Sequence, residues 1–115
     1  MLIRSQNKAV LLNFSNWAAI YIVKDGDDFI ISSLEGENKC TLGKYSTKEK
    51  AMQVLDMIQE AYEEYKITCT FLTGFTGHRA IVESNNIHVD GSEELAKSFK
   101  KNMVFQMPED GNVKV

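Results

Sequence analysis

Ala51, Val54, Leu55, Ile58, Ala61, Tyr62 and Tyr65 recur at intervals of three and four. On a helix this spacing gathers them into one apolar stripe, and a stripe of that kind is stable in water only when something covers it. Gln53, Asp56, Gln59, Glu60, Glu63 and Glu64 fall largely on the opposite side. Ser46 and Glu49 precede the stripe at capping-box spacing, where the hydroxyl accepts the third amide and the carboxylate reaches back. The pattern predicts a helix over Ser46–Tyr65.

The cover lies upstream. Trp17–Lys24, Phe29–Leu34 and Lys39–Tyr45 are rich in β-branched and aromatic residues. Asp25-Gly26 and Glu35-Gly36-Glu37-Asn38 separate them, and glycine supplies the positive φ of a tight turn. Strand, turn, strand, turn, strand at this spacing is an antiparallel meander. Leu2–Arg4 and Ala9–Phe14 read as shorter strands before it. Downstream, Ile67–Leu72 alternates as a strand, Thr73–His78 reads as a loop, and Ala80–Glu83 and Ile87–Val89 as short strands. A second helix opens at Asp90 with Leu95, Ala96 and Phe99 on its apolar side. Met103–Met107 reads as a last strand, stopped by Pro108, the one proline of the chain. The expected fold is α+β: the meander, the Ser46–Tyr65 helix on one face, and a smaller C-terminal strand-helix-strand portion. With 115 residues and 43% hydrophobic side chains the chain makes one domain, over residues 1–108, with 109–115 as a frayed tail.

The net charge of -3 lacks the basic footprint that phosphate contacts need, which argues against direct nucleic-acid binding. No apolar window reaches the ~18 residues of a membrane span, and the apolar run at Met1–Gln6 is far short of a secretory signal. A cytoplasmic location follows, with Cys40 and Cys69 reduced and buried in strands. Cys40, Cys69, His78 and His88 are not paired at zinc-ligand spacing, so no metal and no cofactor is expected. Gly74-Phe75-Thr76-Gly77 has the two-glycine spacing of a backbone-clamping nucleic-acid loop but not its basic character, and reads as a hairpin tip. His78 or His88 could act as a base, yet neither sits in a recognisable catalytic constellation. No catalytic residue is assigned.

The charges of the first helix are arranged against its dipole. Lys48 and Lys50 occupy its first turn, and Asp56, Glu60, Glu63 and Glu64 crowd its expected last turns. Asp56/Glu60 and Glu60/Glu64 are like-charge pairs four residues apart, each costing roughly 0.2–0.5 kcal/mol. A solvated face is the plain reading. The alternative is a surface for a basic protein partner, made of Asp56, Glu60, Glu63 and Glu64, with Phe75 and Arg79 as further contacts from the 73–78 tip and its flank. Phe14 and Trp17 read as core plugs, with an interface anchor as the alternative.

Met1-Leu2-Ile3-Arg4-Ser5-Gln6-Asn7-Lys8, Leu42–Ala51 with Val54–Ile58, and Val104–Pro108 resemble a family of small proteins from prophages and other mobile elements of low-GC Gram-positive bacteria. Lys66–Asn102 is an insertion relative to its short members. The resemblance carries no catalytic residues. By analogy with the small acidic inhibitors of type II CRISPR systems, it implies a non-enzymatic protein that blocks guide RNA or DNA loading of a defence nuclease. The alternative is a small-molecule or nucleotide-signal binder with a pocket using Tyr62, His78 and Arg79.

Overall fold

A computed structural model describes residues 1–16, 19–84 and 103–115, and for 16 and 71–84 the backbone alone. The fold is α+β. The meander forms as the sequence expects: β3 (Ala19–Asp25), β4 (Asp28–Glu35) and β5 (Asn38–Tyr45) pair antiparallel in that order. Both of its turns are two-residue loops, Gly26-Asp27 and Gly36-Glu37. Only the glycines adopt positive φ, +60° and +59°, the pattern of a type II′ turn, which suits the twist of the flanking strands. Between β4 and β5 the register shifts, Ile31 facing Gly43 and Ser32 facing Thr41, so Leu42 is the extra residue of a bulge.

A second, mixed sheet has the order β2-β1-β6, with β1 at Leu2–Arg4, β2 at Leu11–Asn13 and β6 at Val104–Gln106. β1 pairs antiparallel with β2 and parallel with β6. A parallel pair needs a long crossover, and here the whole meander and the helix lie between its two strands. One core joins both sheets: Ile3 and Met107 from the second sheet and its exit, Ile31 and Leu42 from the meander, and Val54 and Ile58 from the helix. Gln6 stitches the sheets together. Its amide donates to the Leu42 carbonyl at 2.7 Å, its Oε1 accepts the Lys44 amide at 2.9 Å, and its Nε2 donates to the Lys44 and Pro108 carbonyls at 3.1 and 3.2 Å.

The helix departs most from expectation. α1 runs Lys48–Ser84, 37 residues, so the predicted strands at 67–72 and 80–83 and the predicted loop at 73–78 are helical. Alternating β-branched residues there mimic a strand, but once a helix is nucleated each further residue adds a backbone bond for little extra cost. Thr70 accommodates this by donating its hydroxyl to the Lys66 carbonyl at 2.9 Å. Cys69 therefore sits on a helix, whereas Cys40 is in β5 as expected; both are half-buried thiols. The expected strand at 87–89 and helix from Asp90 lie outside the described residues, as does Trp17.

The N-cap also moves. Thr47, not Ser46, accepts the Lys50 amide at 3.1 Å. Ser46 instead donates from its amide to Asp110 Oδ1 at 2.8 Å and from its hydroxyl to both carboxylate oxygens at 3.0 Å. Lys50 Nζ approaches Asp110 Oδ2 at 3.4 Å. The segment expected to fray is thus tied down: Asp110–Asn112 forms a 3-10 turn and Val113 is 5% exposed in the core. Tyr45, fully buried, donates to the Pro108 carbonyl at 2.8 Å. Burial first, then the charges of Glu109 and Asp110, push its phenol pKa well up, so it stays a donor.

Two outcomes follow for the tail. Tyr45→Phe should lower stability in urea unfolding by about 1 kcal/mol and no more, because Gln6 still donates to the Pro108 carbonyl. The Ser46 amide first, then the Ser46 hydroxyl and Lys50, hold the Asp110 carboxyl below its ordinary pKa of 3.8. A depressed carboxyl stabilises the fold above the unfolded-state value, and that stabilisation is lost as pH falls through the folded-state value. Asp110→Ala should therefore lower the urea midpoint at neutral pH. The gap to the wild type should close on acidification below 3.8.

Candidate functional site

Among the described residues the apolar side chains of α1 that pack on the core run to Tyr65; past them Lys66, Ile67 and Thr70 are exposed and Thr68 and Cys69 half-buried. On its solvent face Asp56, Glu60, Glu63 and Glu64 are all exposed and, along ~12 Å of axis, lie on successive turns. No ion pair among the described residues engages any of the four; the salt bridges present are Lys50–Asp110 and Lys44–Asp28, the latter at 3.3 Å. Glu63 accepts a hydrogen bond from Gln59 Nε2 at 3.2 Å.

Their setting differs from the expected one. Because α1 extends to Ser84, these carboxylates stand in mid-helix, away from the C-terminal dipole, and the dipole argument for them falls. At the other end Glu49 and the carboxylate of Asp110 offset Lys48 and Lys50. What survives is the pair of like-charge contacts, Asp56/Glu60 and Glu60/Glu64, with no cation drawn in between them.

Phe75 and Arg79 are not brought to this cluster. Both lie on helical backbone rather than on a loop tip, some ~17 and ~22 Å along the axis from Glu64, and their side chains are outside the described residues. His78 shares that helical segment, and His88 lies outside the description. Among the described residues no cluster of His, Cys, Asp or Glu is placed to hold a metal ion, and no helix is long and apolar enough to cross a membrane.

A groove that periodicity did not reveal runs beside the acidic face. Phe14, Ala19, Ile20, Leu55, Ile58, Gln59 and Tyr62 line a volume of about 330 Å³ between β3 and α1. Phe14 and Tyr62 meet with ring centroids 4.7 Å apart and planes tilted by 56°, and the Lys66 ammonium lies 5.5 Å from the Tyr62 centroid. The walls are apolar except for Gln59, and through Gln59 the groove adjoins Glu63. A flat anionic strip next to an apolar trough suits an amphipathic, basic protein surface better than a phosphorylated ligand, for which the described residues offer only Lys66, stacked on Tyr62 at the groove's end.

Compared with known protein families, with curated proteins and with solved structures, the chain matches none.

If the carboxylate row is a cost to the fold, reversing its centre should stabilise it. Glu60→Lys turns two repulsive i,i+4 contacts into attractive ones and should raise stability by about 1 kcal/mol at low salt. The gain should shrink in concentrated salt, read by urea unfolding at two ionic strengths.

Proposed function

We propose that the protein is a non-enzymatic binding module of a mobile element, acting in the cytoplasm, that docks a basic protein surface through the solvent face of α1. The observation that carries this reading is the row Asp56, Glu60, Glu63 and Glu64, exposed and without a cationic partner among the described residues. No ion pair among the described residues uses these charges, and their mutual repulsion opposes folding slightly. Charge of one sign held on a rigid helix steers association with the opposite sign.

The partner class this suits is a protein whose basic cleft ordinarily holds nucleic acid. The resemblance of Met1–Lys8, Leu42–Ala51 and Val104–Pro108 to small mobile-element proteins narrows the proposal to a defence machine, the RNA-guided nuclease of a type II CRISPR system, with guide RNA or DNA loading as the blocked step. The reading as a nucleotide-signal binder has less support, since the groove that includes Tyr62 is apolar.

The test is a DNA-cleavage assay with a purified type II nuclease, preincubated with the protein before guide RNA is added. The wild type should inhibit, and inhibition should weaken as salt rises. Glu60→Lys, Glu63→Lys and Glu64→Lys together should leave unfolding unimpaired and weaken inhibition by roughly 10–100-fold, about 1–3 kcal/mol for three reversed contacts. Equal inhibition by the triple variant would remove the electrostatic mechanism, and no inhibition by the wild type would remove this partner.

A further inference from the structure

We infer that the outer edge of β3, with the groove above it, accepts an extended segment of the protein partner as an added β-strand, apolar at alternate residues and basic overall. This rests on the reading of α1 as a partner-facing surface and adds the mode of attachment.

Among the described residues β3 is a terminal strand of its sheet, seven residues long. The pair Asp25↔Asp28 closes a two-residue turn, so the ladder bonds to β4 belong to Asp25, Val23, Tyr21 and Ala19. The N–H and C=O groups of Ile20, Ile22 and Lys24 consequently point away from β4. Among the described residues no backbone hydrogen bond reaches them.

Edge strands in folded proteins are blunted by charge, proline or a bulge. Ile20-Tyr21-Ile22-Val23 has none of these, the charges of β3 being Lys24 and Asp25 at its turn end, and the register with β4 is unbroken from Ala19↔Leu34 to Asp25↔Asp28. It is accessible: no residue of β3 is buried, and Val23 is 43% exposed. Ile20 and Ile22 pack toward the helix side of the sheet, where Ile20 forms one wall of the groove with Leu55 and Tyr62 opposite. A strand laid along β3 would satisfy the outward backbone groups and place every second side chain beneath that groove.

Charge decides the occupant. The groove's polar wall, Gln59, holds Glu63, and Asp56 and Glu60 lie on the adjoining face of the same helix. A second copy would bring the same carboxylates and another net charge of -3 to this edge, and is repelled. A segment carrying lysine or arginine is attracted.

The probe is an eight-residue peptide of alternating valine and arginine, blocked at both ends, titrated into the full chain while amide hydrogen exchange is followed by NMR. The amides of Ile20, Ile22 and Lys24 should slow at least tenfold on binding, with little change at Tyr21 and Val23. Lys24→Pro deletes one outward donor and leaves the ladder intact, and should weaken peptide binding at least tenfold. Lys24→Ala keeps the N–H and should bind no more weakly than the wild type. Where Lys24→Pro also lowers the unfolding midpoint, the exchange pattern of the wild type decides alone. The inference is overturned by absence of binding at millimolar peptide, by binding without protection of the three amides, or by equal binding of a valine-glutamate peptide. It is also overturned if sedimentation shows a dimer whose formation protects the same amides. Protected edge amides together with unaltered nuclease inhibition by the triple lysine variant would sink the acidic-face mechanism while leaving the added strand. The reverse pattern would sink the strand alone.

Discussion

Every other part of the fold is referred to the joint at Tyr45-Ser46, where the meander ends and α1 begins. Two segments from opposite ends of the chain converge on it. Gln6 fastens the β2-β1-β6 sheet to the last residues of β5, and the stretch after β6 returns to place the Pro108 carbonyl on Tyr45 and the Asp110 carboxylate on Ser46 and Lys50. These contacts span 38 to 64 positions of sequence. Closing such loops opposes folding by an entropy that grows only slowly with length, so a few well-made polar bonds over a shared apolar core suffice to hold them. The angle at which α1 leaves the sheet is thereby fixed, and with it the position of the groove and of the acidic face.

The parts that were legible in the sequence are those governed by near neighbours. The three meander strands and both glycine turns depend on residues within a few positions, and each lies where the pattern puts it. The first turns of α1 were legible for the same reason. The far half was not, because Ile67-Thr68-Cys69-Thr70 carries strand-like side chains on a backbone that propagates as helix. Nor was the folding of 109–115 visible: the burial of Val113 and the carboxylate bonds of Asp110 depend on partners that no local window contains.

The candidate site divides along the same line. Asp56, Glu60, Glu63 and Glu64 share a helical face by spacing alone, and the structure keeps them there. The groove could not be read, because Phe14 and Ile20 reach it from a turn and an edge strand while Leu55 and Tyr62 reach it from the helix. Asp110 was missed as well, though Asp-Gly-Asn after the only proline signals a turn that could return a carboxylate to a helix start.

The length of α1 sets the electrostatics of its acidic face. Had α1 ended at Tyr65, its carboxylates would have faced the dipole, and any nearby cation of the same molecule would have been the simplest relief. The long helix takes that penalty away and leaves a smaller one, the repulsion between neighbours one turn apart. Of the two first-turn cations, Lys48 and Lys50, the second is committed to Asp110. Neighbouring carboxylates one turn apart are closer than the ~8 Å screening length at physiological salt, so the row acts as a single anionic strip. A strip of that kind attracts strongly at short range and weakly beyond it. It favours a partner whose cations come into contact, and the adjoining apolar groove and open strand edge supply contacts that salt does not screen. Charge would then govern approach and register while apolar burial and backbone pairing govern residence.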